Sequence, residues 1–283
     1  MRKSLFLIVF TLIFLISCEK DNRDIFFRIG PPDFEFKFSD IKLYDTSTHI
    51  IYFKNEYADF KNLDQGGFTF LDNGDPIYSG SLWPGYSSLG PTDPFIMTPP
   101  MYGNYALRIG SWHFNKPDLR NDPRLIRLLK QHNILHSGLA ISDISIEIAG
   151  AQLSCRFSIS NQDISDLLII DLNKTGLNLF HYFTNGLYLY DSANNEVFSS
   201  TIQHQVPNPW NVWKIDWLTE LKSGESKEFK INYPLKNPLP AGDYSAGFEF
   251  PGLGHQVTKE QLYQGNIRIW LGDVSIKKQI LIP

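Results

Sequence analysis

His132 and His136 stand four residues apart in a stretch with helical apolar spacing, which would put both imidazoles on one helix face, as zinc ligands stand. The hydrolytic form of that pattern needs a glutamate directly after the first histidine. This chain has Asn133 there, and no third ligand is visible. Both imidazoles would also lie near a helix C-terminus, where the helix dipole favours them without any metal. No metal and no other cofactor is expected. Cys155 lies in Leu153-Ser-Cys155-Arg-Phe157-Ser-Ile159, where alternation puts the thiol on the apolar face. A nucleophilic thiol wants a basic neighbour and some exposure, so a buried structural cysteine is the reading. There is no Gly-x-Ser-x-Gly elbow, no phosphate loop and no Gly-x-Gly-x-x-Gly run. Acidic residues are scattered among turns and single out no catalytic pair. The chain is expected not to be an enzyme.

The remaining chemistry is aromatic. The stretch Leu82–Asn104 carries Trp83, Tyr86, Phe95, Met97, Met101 and Tyr102 among five prolines. Aromatics on a proline-stiffened loop make a pre-organised contact surface, because proline lowers the ordering cost on binding. The same side chains could instead fold back as a lid over an edge strand. A second cluster is Trp210, Trp213 and Trp217. On a strand, Trp213 and Trp217 would share a core face with Ile215, while Trp210 follows Pro209 and is the better candidate for exposure. Trp83, Tyr86, Tyr102 and Trp210 are the candidate ligand- or partner-binding residues.

These residues need a scaffold, and the pattern predicts one that is mainly β. Phe34-Glu-Phe36-Lys-Phe38 alternates, His49 to Phe53 is an apolar run, and Asp72-Asn73-Gly74-Asp75 joins two strands as a hairpin. Proline density over 82–104 forbids a central strand there. One substantial helix is expected, capped by Asn121 or Asp122, with Pro123 in its first turn, apolar residues from Leu125 to Leu135, and Gly138 as a stop. From about Ile141 onward short strands and regular turns predict a β-sandwich. The expected organisation is a tether over 18–33, an α+β domain over 34–140 and an immunoglobulin-like sandwich over 141–283.

The chain has 283 residues, 42% hydrophobic and 20% charged, a composition of folded proteins. Its net charge of −4 and lack of a basic run argue against nucleic acid as a partner. Arg2-Lys3, twelve apolar-dominated residues from Leu5 to Ile16, and then Leu15-Ile16-Ser17-Cys18 resemble a bacterial lipoprotein signal peptide with its lipobox. The run is too short to span a bilayer stably. The resemblance implies cleavage before Cys18, acylation of Cys18, and a membrane partner held through that lipid. Glu19-Lys20-Asp21 resembles the surface-export signal of glycan-foraging Gram-negative bacteria. That implies an outer-membrane, lipid-anchored, surface-exposed location, with a periplasm-facing one as the alternative.

Leu221-x-x-Gly224-Glu225-Ser226 followed by Leu239-Pro240-Ala241-Gly242-Asp243-Tyr244 resembles the paired signature of bacterial immunoglobulin-like modules, and is similar to BsuPI-type proteinase inhibitors. It implies that the Gly-Glu-Ser turn opens one strand and that Tyr244 is buried at a corner. The sequence as a whole implies a non-enzymatic, membrane-anchored lipoprotein that acts as a ligand-binding or assembly module at the cell envelope. A surface glycan-binding protein and a proteinase inhibitor are the alternatives. The partner expected is a glycan or an envelope protein.

Overall fold

The computed structural model describes residues 24–31, 33–112, 117–200, 202–208, 213–254 and 261–282, with residue 143 described in its backbone only. The protein is mainly β.

The first part of the chain builds one large sheet. Its strands are β1 (Ile25–Gly30), β2 (Phe34–Lys37), β3 (Ile41–Asp45), β4 (Ile50–Phe53), β5 (Gly66–Asp72), β6 (Asp75–Pro84), β7 (Phe95–Thr98), β8 (Ala106–Gly110) and β9 (Leu135–His136). They lie in the order β2-β1-β5-β6-β7-β8-β4-β3-β9. β1 corrects the expected tether at its C-terminal end: Phe26, Phe27 and Ile29 are buried, and the strand pairs with both β2 and β5. Two phenylalanines and two isoleucines in six residues bury too much apolar surface to stay in water. The β5–β6 hairpin turns as predicted, with Asn73 and Gly74 at positive φ.

β7 is the larger correction. It sits in the middle of the sheet, parallel to β6 and antiparallel to β8, where the proline density predicts no central strand. Pro94 and Pro99 flank Phe95–Thr98 without entering it, so every residue inside the strand keeps its N–H.

Helix α1 (Pro123–Gln131) covers this sheet through Leu125, Leu128 and Leu129. Asp122 caps it by accepting from the Arg124 N–H, and Pro123 occupies the first turn. The helix ends earlier than its apolar spacing predicts, because Asn133 adopts φ 55° and the chain turns out into β9.

The rest of the chain forms three smaller sheets. Its strands are β10 (Leu139–Ala149), β11 (Gln152–Asn161), β12 (Leu167–Ile170), β13 (Leu187–Tyr190), β14 (Glu196–Ser199), β15 (Leu218–Leu221), β16 (Ser226–Pro234), β17 (Gly242–Pro251), β18 (Tyr263–Gln264), β19 (Ile267–Ile269) and β20 (Asp273–Ile282). The sheets run β10-β11-β16, β15-β12-β19-β18 and β14-β13-β17-β20. Phe157 of β11 meets Phe248 of β17 with ring centroids 4.2 Å apart, and Phe229 of β16 meets Phe250 at 5.8 Å. Tyr244 is buried and donates to the Pro240 carbonyl at 2.8 Å, the corner placement implied for it. The stretch Trp213–Trp217 is not a strand: Ile215–Trp217 is a 3-10 turn, Ile215 is exposed, and Trp213 and Trp217 are half-buried.

Two cores share the first sheet. In β4, Ile51 and Phe53 join the core under helix α1, whereas Ile50 and Tyr52 join the core of the later sheets. Successive strand residues point to opposite faces, so the unbroken apolar run at 50–53 records a strand covered on both sides. Leu43, Tyr102 and Ala106 also belong to the second core. The chain therefore meets itself along the back of β3, β4 and β8.

Candidate functional site

A cleft of about 500 Å³ opens where the first sheet meets β20, within the usual size range of small-ligand pockets. Its wall is built from local chain geometry. Asp45 accepts from the Ser47 N–H at 2.9 Å and the Ser47 hydroxyl at 2.6 Å, which folds the β3–β4 turn. His49 closes that turn at φ 54°, and Thr48 and His49 both line the cleft. β7 and the residues after it contribute Phe95, Ile96, Met97, Pro100 and Met101, and β8 contributes Arg108. On the opposite side the chain enters β20 through Gly272, at φ 93°. A Cβ there would lie 2.9 Å from the Thr48 Cβ, so only glycine lets the two segments approach this closely.

The cleft's charges are arranged in pairs. Arg108 forms an ion pair with Asp273 and also hydrogen-bonds Tyr102. Arg120 grips Asp118 through Nε at 2.9 Å and a terminal nitrogen at 3.0 Å, and donates to the Ile109 carbonyl. Burial pushes the Asp118 carboxyl up, but the hydrogen bonds and charge of Arg120 outweigh it and hold the group below its ordinary value. His49 Nδ1 lies 3.0 Å from the Tyr44 hydroxyl, and its Nε2 lies 3.7 Å from Asp118. Thr48 is 2% exposed, and its hydroxyl has no hydrogen-bond partner among the described residues.

Trp112 supplies the aromatic surface. It is 46% exposed, and its ring is braced edgewise by Phe95 and Trp83 at centroid distances of 6.0 and 6.1 Å. Asp93 accepts from the Trp112 N–H and the Ser111 hydroxyl, and Trp83 donates to the Leu89 carbonyl at 2.8 Å.

The residues expected to bind fall in several places. Trp83 is half-buried behind Trp112 and does not line the cleft. Tyr86 is 76% exposed on the loop after β6, tied to Asp64 by a 2.7 Å hydrogen bond. Tyr102 is a correction: it is 1% exposed and holds Arg108 from behind, so it offers no contact surface. Trp210 and Cys18 lie outside the described residues. The long aromatic loop is thus part of the site, but through Phe95, Met97 and Met101 rather than the residues singled out. Trp112, Thr48, His49 and Arg108 were missed, because nothing local marks a residue as facing a cleft formed by distant segments.

The histidine pair does not form. His132 follows helix α1 and stacks flat on Phe38 at 3.6 Å, while His136 is in β9 with its Nδ1 2.7 Å from Asp163. Among the described residues no group of three or more His, Cys, Asp or Glu stands ready to hold a metal ion. Cys155 is fully buried, and burial pushes its thiol up to about 12. Among the described residues no helix is long and apolar enough to cross a membrane.

No family model and no curated protein matches the chain. Among solved structures it is similar to beta-glucosidase 3B from Thermotoga neapolitana in complex with alpha-D-glucose, at 13% identity and a TM-score of 0.22. The same enzyme in complex with glucose gives 12% and 0.21. Both matches cover 51% of this chain, which spans 17% of the enzyme's length. Similarity at that level carries no argument about fold or activity.

Proposed function

We propose that this protein is a non-enzymatic, lipid-anchored binding module of the bacterial cell envelope, and that the cleft between the first sheet and β20 is its ligand site. The carrying observation is the cleft itself: about 500 Å³, with Met and aromatic walls, and with its charges already paired. Binding rather than catalysis is favoured by those pairs. Acid–base chemistry on a substrate wants two titratable groups whose environments push them apart. Asp118 and Asp273 are instead both neutralised by arginine. The anchor rests on the resemblance of Leu15–Cys18 to a lipobox. The later part of the chain reads as an immunoglobulin-like sandwich, supported by the Phe157–Phe248 contact between two sheets and by the Tyr244 corner.

One preparation tests both halves of the proposal. The full-length chain is expressed in a Gram-negative host and extracted from membranes, and its N-terminal peptide is weighed by mass spectrometry. A triacylated Cys18 is expected, and Cys18→Ala should release the protein from the membrane fraction. The purified protein is then screened by thermal shift against small polar and apolar molecules. At least one should stabilise it, since a ligand that binds only the folded state must do so. Ser275→Phe, which places a ring at the cleft lip, should remove that shift. An unmodified Cys18 would overturn the anchor, and ligand shifts that survive Ser275→Phe would overturn the site.

A further inference from the structure

The walls of the cleft restrict what it can hold. Both arginines that line it are engaged, Arg108 with Asp273 and Arg120 with Asp118. An anionic ligand would have to displace a carboxylate from a partly buried pair, and a cationic one would have to displace an arginine; either leaves a charge without its partner. A purely apolar ligand fits poorly too. It would cover the polar groups of Arg108, Asp273, Ser111 and Ser275 and offer them no hydrogen bond in place of water. What remains is a neutral molecule with one apolar face and many hydroxyls.

The aromatic geometry agrees. Trp112 lines the cleft with nearly half its surface exposed, and it is fixed rather than loose. Phe95 and Trp83 meet it at 74° and 72°, and Asp93 holds its backbone. Gly90 packs against the edge of the ring: a Cβ there would lie 2.9 Å from Trp112 Cζ3. A rigid, part-exposed indole presents an electron-rich face, which attracts the slightly positive C–H groups of a sugar ring. Met97 and Met101 beside it offer adaptable apolar contact.

We propose that the cleft binds a neutral saccharide unit, its ring stacked on Trp112 and its hydroxyls held by the Arg108–Asp273 pair. This rests on the cleft being the ligand site. It adds the chemical class of the ligand and the residue on which it stacks.

The test is isothermal titration of the full-length protein in detergent with maltohexaose, cellohexaose and xylohexaose as neutral probes, hexagalacturonate as an acidic one and decanoate as an apolar anion. At least one neutral oligosaccharide should bind, and more tightly than hexagalacturonate. Trp112→Ala should weaken it at least tenfold, and Trp112→Phe less. Thermal unfolding of each variant reports its fold. If Trp112→Ala does not fold, the Trp112→Phe and Ser275→Phe pair decides. Failure of all neutral probes, with decanoate or hexagalacturonate binding and blocked by Ser275→Phe, overturns the saccharide and keeps the cleft. Saccharide binding unchanged in Trp112→Ala and Ser275→Phe overturns both, as does the absence of binding by any probe.

Discussion

At the residue scale, burial decides which groups can react and which can only titrate. Cys155 alternates with Leu153, Phe157 and Ile159, all buried, and its thiol is pushed up to about 12. Since the thiolate is the reactive form, Cys155 should not react with an aromatic disulfide reagent in the folded protein. It should react fully after unfolding, as read by absorbance of the released thiolate. His181 is a buried imidazole with a ring packed 5.5 Å from Tyr233, and burial pulls its pKa down from 6.5 to about 4. A folded pKa below the unfolded one means the neutral ring stabilises the fold above about 6.5, and that this contribution is lost as pH falls toward 4. Urea midpoints should therefore decline between pH 7 and pH 5 by the equivalent of about 2 kcal/mol. His181→Leu should flatten that decline. Asp118 and Asp163 are held below the usual carboxylate range, so their contributions are lost at lower pH and do not overlap this window.

At the element scale, local chemistry sets where helices and strands begin, and neighbours set where they end. Helix α1 starts where its sequence says, because Asp122 and Pro123 act within one turn. Asp122→Ala should cost about 1 kcal/mol in chemical denaturation, the usual worth of a lost N-cap. Its C-terminus was not legible, because Leu135 was needed by β9 beside Tyr44 rather than by the helix. That single competition separates His132 from His136 and removes the metal reading. β7 shows the reverse: Pro94 and Pro99 read as breakers, yet they bound a strand whose pairing partners β6 and β8 lie on either side. Trp213–Trp217 alternates like a strand but finds no partner among the described residues, and a short turn takes its place.

At the scale of the whole molecule, one buried charge ties the parts together. Arg268 of β19 is 2% exposed and donates to Asp45 of β3 and to Asp163 at 2.7 Å each, while His136 of β9 also meets Asp163. Burial pushes the Asp163 carboxyl up, but the hydrogen bond from His136 and the charge of Arg268 prevail and keep it ionised. Removing one partner of a buried cluster leaves uncompensated charge, so Arg268→Met should lose about 3–5 kcal/mol. Denaturant titration at neutral pH would show it, with a larger loss than Arg28→Met at the exposed Arg28–Glu35 pair. Asp45 also positions Ser47, next to Thr48 in the cleft, so the clamp and the ligand site share a turn.

The sequence by itself determined the mainly β character, the helix start, the β5–β6 turn and the buried thiol. Each follows from periodicity or from contacts within a few residues, where steric and hydrogen-bonding preferences act without the rest of the chain. It also pointed to the aromatic stretch after β6, from which Phe95, Met97 and Met101 line the cleft. Only the tertiary structure decided which aromatics face the cleft, that Tyr102 is buried behind Arg108, and that Arg268 meets Asp45 across 223 residues of chain. Exposure and long-range pairing depend on which surfaces cover one another, and that is set by the packing of both cores against β3, β4 and β8.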